Sequence, residues 1–109
     1  MTTPDELLRL AERVEQGSGQ DRELAFAVWK GIGGAVEFIL TSIDAVEERR
    51  LRMLPRSSVN MSGYEAFSAG VILRPLDRNS PIFDGNAGSE SRARLAALLR
   101  AVAGKEVSQ

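Results

Sequence analysis

The run from Tyr64 to Leu73 alternates its side chains between two faces, with Glu65, Phe67, Ala69, Val71 and Leu73 on one and Tyr64, Ala66, Ser68, Gly70 and Ile72 on the other. A period of two reads as a β-strand with both sides at least partly covered. Most other apolar residues recur at helical spacing, so the chain is expected to be an α+β domain: a small antiparallel sheet, made of a β-hairpin and a possible third strand, packed with about four helices. Ser57-Ser58-Val59-Asn60-Met61 also alternates before the turn signal Ser62-Gly63, which places the hairpin there.

The helices announce themselves by their starts. Thr3-Pro4-Asp5-Glu6 combines an N-cap, a proline at the first helical position and a capping-box acid. Leu7, Leu8, Ala11 and Val14 follow as a one-sided stripe that ends at Gly17-Ser18-Gly19. Ser18 with Asp21 opens a second helix, in which Leu24, Ala27 and Val28, with Phe26 and Trp29, are expected to bury against the first, before Gly31-Ile32-Gly33-Gly34 stops it. Val36 to Leu40 is either a short strand or apolar packing that leads into the next helix. Thr41-Ser42-Ile43-Asp44 caps that third helix, which runs toward Pro55 with Ile43, Val46, Leu51 or Met53 on its buried side. Residues 76–88, rich in proline, glycine, asparagine and aspartate, read as a flexible exposed loop. Ser89 or Ser91 caps the last helix, striped by Leu95, Leu98, Leu99 and Val102, with Arg92, Arg94 and Arg100 directed elsewhere, and Gly104 begins a frayed end over 104–109.

At 109 residues the chain is the size of one domain, which should bury about two-thirds of its unfolded surface. The absence of cysteine rules out a disulfide framework. No apolar run approaches the length of a membrane span, and the first residues lack the pattern of a signal peptide, so a cytoplasmic protein is expected, with no membrane partner. A net charge of −1 gives no long-range pull on nucleic acid.

The chain also has no histidine, which together with the missing thiol removes the groups most used for proton transfer, nucleophilic attack and transition-metal ligation near neutral pH. Lys30-Gly31-Ile32-Gly33-Gly34 lacks the strand, third glycine and hydroxyl of phosphate-binding loops, so it reads as a helix terminator. Asp44 and Glu48 stand one turn apart and could share a divalent cation, but Asp44 suits the positive end of a helix and Glu48 can pair with Arg52. Ser57, Ser58, Ser62 and Ser68 have no histidine base, and Trp29 reads as a core anchor. Arg49, Arg50, Arg52 and Arg56 form the densest basic cluster and, with Tyr64, are the residues expected to meet a partner. No catalytic, cofactor-binding or metal-ligating residue is expected, and no cofactor.

Three segments carry a resemblance: Leu7-Leu8-Arg9-Leu10-Ala11-Glu12-Arg13-Val14-Glu15; Gly17 to Leu24, of which Ser18 to Leu24 looks like a Gly-Pro-Asp-Arg-Glu-Leu helix start; and Thr41 to Ala45, which looks like a Thr-Ser-Leu-Asp-Ala element. With the Leu- and Ala-rich helix Ala93 to Val102, the pattern resembles the phage ABA sandwich domain, a family of small phage and prophage proteins of unknown function. The likeness extends over nearly the whole chain, but Ser57 to Ser68 has no tryptophan where the family commonly has a tryptophan-rich hairpin, and no proline opens the final helix. The resemblance implies a helix and sheet sandwich and no particular activity. The expectation is therefore a non-enzymatic accessory or protein-interaction domain of phage type, with an unidentified protein partner and room for a homo-oligomer. A nucleic-acid-binding module with helices packed on a small sheet is the alternative, for which Ser91-Arg92-Ala93-Arg94 is a thin basic signal. A carboxylate-based hydrolase ranks third.

Overall fold

Capping chemistry sets the helix starts, and most of them fall within a residue of where the sequence places them. A computed structural model describes residues 3–17, 21–65, 68–75 and 81–107. Helix α1 (Pro4–Gln16) begins with a complete capping box: Thr3 Oγ1 accepts from the Glu6 N–H at 3.2 Å, and a Glu6 carboxylate oxygen accepts from the Thr3 N–H at 3.3 Å. It buries Leu7, Leu10, Ala11 and Val14. Helix α2 (Arg22–Ile32) is capped by Asp21, expected as the acid three residues after the cap, which accepts from the Leu24 N–H at 3.1 Å; Ser18, the expected cap, lies outside the described residues. The helix stops where Gly33 and Gly34 adopt φ of 77° and 101°, a region that other residues rarely enter.

Val36 to Leu40 is not a strand. The Phe38 N–H bonds to the Ala35 carbonyl and the Ser42 N–H to the Phe38 carbonyl, so the segment is a pair of turns. The consecutive residues Ile39 and Leu40 are both buried, which alternating strand faces would not allow against one core. Helix α3 (Ile43–Met53) is capped by Ser42 through the Ala45 N–H. Of the four apolar residues expected on its buried side, only Val46 is fully buried; Met53 is half-buried, and Ile43 and Leu51 face solvent.

Strands β1 (Ser57–Glu65), β2 (Ser68–Pro75) and β3 (Phe83–Ala87) form one antiparallel sheet in the order β1-β2-β3. The hairpin turns beyond Glu65, which pairs with Ser68, and not at Ser62-Gly63. Ser62 is instead the extra residue where the register jumps between Met61 and Gly63, a β-bulge. The alternating run is thus shared by two strands; residues 66 and 67 lie outside the described set. Part of the stretch expected to be a loop is β3, and residues 76–80 of that stretch are likewise outside the described set. Asp84-Gly85-Asn86 looks like turn chemistry, yet Gly85 is needed where β3 crosses the last helix, because a Cβ there would collide with the Ala93 carbonyl.

Helix α4 (Glu90–Val107) starts from Ser89, whose carbonyl accepts from the Ala93 N–H at 3.0 Å, and it continues through Gly104 to Val107, beyond the expected end. It is the central element. Leu95, Ala96, Ala97, Leu98 and Leu99 are successive and all buried, so the helix is covered all round and not along one stripe. β2 and β3 pack on one side of it, α1 on another and α3 alongside, while α2 lies against α1. No helix among the described residues is long and apolar enough to cross a membrane.

Candidate contact surface

The expected arginine cluster is dispersed by the fold. Arg49 donates to the Ile32 carbonyl at 3.1 Å and so caps the end of α2. Arg50 donates to Glu47 at 2.7 Å and to both the carbonyl and hydroxyl of Ser57, at 2.8 and 2.7 Å. Ser57 stands opposite Pro75, which has no N–H to give, and Arg50 supplies a donor in its place. Arg52 pairs with Glu48 on the surface, and Arg56 is exposed in the link to β1. Tyr64 lies toward the far end of β1, roughly 25 Å from Arg56 at the usual strand rise, so these residues do not converge on one site.

The arginines of α4 are equally occupied. Arg94 bonds to Glu90 at 2.8 Å and to Glu47, which joins α4 to α3. Its guanidinium is held above its ordinary pKa: burial works against the charge, and the two carboxylates outweigh it. Arg92, expected to point away from the core, is 1% exposed and donates to the Val14 carbonyl at 3.0 Å. Arg100 pairs with Glu15 and donates to the Asp84 carbonyl at 2.8 Å, while the Asn86 N–H donates to Glu15 at 2.8 Å. Burial alone would raise the Glu15 carboxyl, but the hydrogen bonds from Arg100 and Asn86 hold it below its ordinary pKa. Together these two side chains occupy backbone groups of β3, the kind of edge that otherwise invites another strand.

Among the described residues, one surface gathers exposed aromatic rings, with Arg22, Glu23, Lys30 and Glu37 around them. Leu24, Ala25, Val28 and Ile32 take the inward side of α2, which turns Phe26 and Trp29 outward at 49% and 45% exposure; neither is the core residue that was expected. Their ring centroids are 5.5 Å apart, and the Lys30 ammonium lies 5.0 Å from the Phe26 centroid. Across from them the 35–42 turns present Phe38 at 56% exposure, fixed from below by buried Ile39 and Leu40 and by a 2.9 Å bond from Ser91 Oγ to the Leu40 carbonyl. Between the two elements is an open cleft of about 870 Å³, lined by Phe26, Ala27, Lys30, Val36 and Phe38 among others. A second hollow of about 330 Å³, between α1 and α2, shares Ala27 and Lys30 with it.

Chemically this surface offers rings and mixed charges. Asp44 is exposed, and Glu48 lies against Arg49 and Arg52; the described residues contain no group of three or more acidic side chains placed to hold a metal ion. The aromatic surface was legible as an excess, since α2 carries more large apolar residues than one helical face can bury. No family model, curated protein or solved structure matches this chain.

Proposed function

We propose that this chain is a non-enzymatic protein-interaction domain of phage or prophage type, and that its contact surface is the outer face of α2 with Phe38. The observation that carries the reading is the pair of half-exposed rings, Phe26 and Phe38, that line one cleft, with half-exposed Trp29 beside Phe26 at 5.5 Å between ring centroids, all held there by buried neighbours on each element. Contiguous apolar patches on a folded surface mark places where another molecule sits, and aromatic residues are enriched at the centres of such contacts. The phage assignment is supported by the resemblance of the Leu7 to Glu15, Gly17 to Leu24 and Thr41 to Ala45 segments, and the lack of enzymatic activity by the missing imidazole and thiol. The nucleic-acid reading is the weaker alternative, since Arg49, Arg50, Arg92 and Arg94 are engaged within the fold and only Arg52 and Arg56 of the basic cluster stand exposed.

Photo-crosslinking tests the surface. A benzophenone side chain at position 26 should give a protein adduct in the native host, and the same group at Asn60, exposed on β1, should give none. Equal labelling from both positions, or none from position 26, would remove the proposal.

A further inference from the structure

We infer that the occupant of this surface is a second copy of the chain, docked with α2 antiparallel to α2 about a twofold axis that passes between Phe26 and Ala27. The inference rests on reading the α2 face as a contact surface, and its own support is the self-complementarity of that face.

A twofold contact must match a patch to itself, so each projection needs a recess on the same patch. Phe26 projects, and the residue beside it, half-buried Ala27, lines both the 870 Å³ cleft and the 330 Å³ hollow. When two α2 helices cross antiparallel at this point, each Phe26 meets the recess over the other copy's Ala27. The register that achieves this also sets Glu23 against the Lys30 of the second copy, twice. Glu23 and Lys30 are both exposed and lie two helical turns apart on the line that passes beside Phe26, an acid toward one end and a base toward the other. A strongly acidic or basic partner would meet like charge at one end of this line, whereas an inverted copy meets opposite charge at both. The α2 face is an eleven-residue helix, about 16 Å long. It sits at the small end of specific contacts, which points to a reversible dimer.

Sedimentation equilibrium on the full chain, from about 1 μM to about 1 mM, tests the pairing. Wild type should pass from monomer to dimer in that range. Glu23→Lys and Lys30→Glu should each weaken association about tenfold or more, and the double exchange E23K/K30E should restore it, a rescue that loss of folding cannot imitate. Monomer throughout, or a double variant as weak as the singles, overturns the second copy as occupant. The mass of the position-26 adduct separates the two readings: an adduct with another protein and no self-adduct ends this inference and leaves the contact surface standing, whereas no adduct together with monomeric behaviour ends both.

Discussion

The guanidinium of Arg92, in the first turn of α4, donates at 3.0 Å to the carbonyl of Val14 near the end of α1. A cation is unfavourable at a helix N-terminus and burial lowers its pKa, although Asp21 offsets part of that. The bond nevertheless satisfies a carbonyl that α1 leaves open at its end, from a residue 78 positions away.

Arg92→Ala should therefore cost about 2–4 kcal/mol, combining a lost charged hydrogen bond with a cavity. Arg92→Lys should recover little, because an ammonium on a flexible stem does not reproduce the planar fork. Urea denaturation of the two variants checks both statements.

Glu15 gives the fold an acid limb. Its folded-state carboxyl titrates below its unfolded value. Its contribution is complete above the unfolded pKa of about 4.3 and is lost as pH falls through the lower folded value. Glu15→Gln should cost about 1–2 kcal/mol at pH 7, and the wild-type and variant stabilities should converge as pH falls below the folded-state value. Thermal melts across that range provide the comparison.

Gly85→Ala should destabilise by at least about 2 kcal/mol, since the added methyl has only the α4 backbone at Ala93 and Ala97 to move. Substituting alanine at Gly88, exposed beyond the end of β3, should change stability far less. Chemical denaturation of the pair isolates the crossing.

Local signals were read well where they act alone. Thr3 and Glu6 had to form a box, and Leu95, Leu98, Leu99 and Val102 had to be buried, because capping and apolar content do not depend on distant partners. Signals that need a partner were misread. Gly85 looks like a turn until α4 is laid across it, and Ser62-Gly63 looks like a hairpin tip until β2 supplies the register that makes it a bulge. A hydrophobic residue on a helix usually goes to the core, but α1 covers only one side of α2, and Leu24, Val28 and Ile32 fill that side, which leaves Trp29 and Phe26 outside. The arginines misled for the same reason: a run in sequence is dispersed by a helix, and Arg49, Arg50 and Arg52 end on three different neighbours.

The most direct measurement compares the folding stability of the wild type with that of the triple variant Phe26→Ser, Trp29→Ser, Phe38→Ser. If these rings serve contact and not folding, the three replacements together shift stability by no more than about 1.5 kcal/mol, about 0.5 kcal/mol for each ring, and the crosslink from a cleft-lining position such as Glu37 disappears. A loss of about 3–5 kcal/mol for each ring, the cost of emptying a core, would contradict the claim.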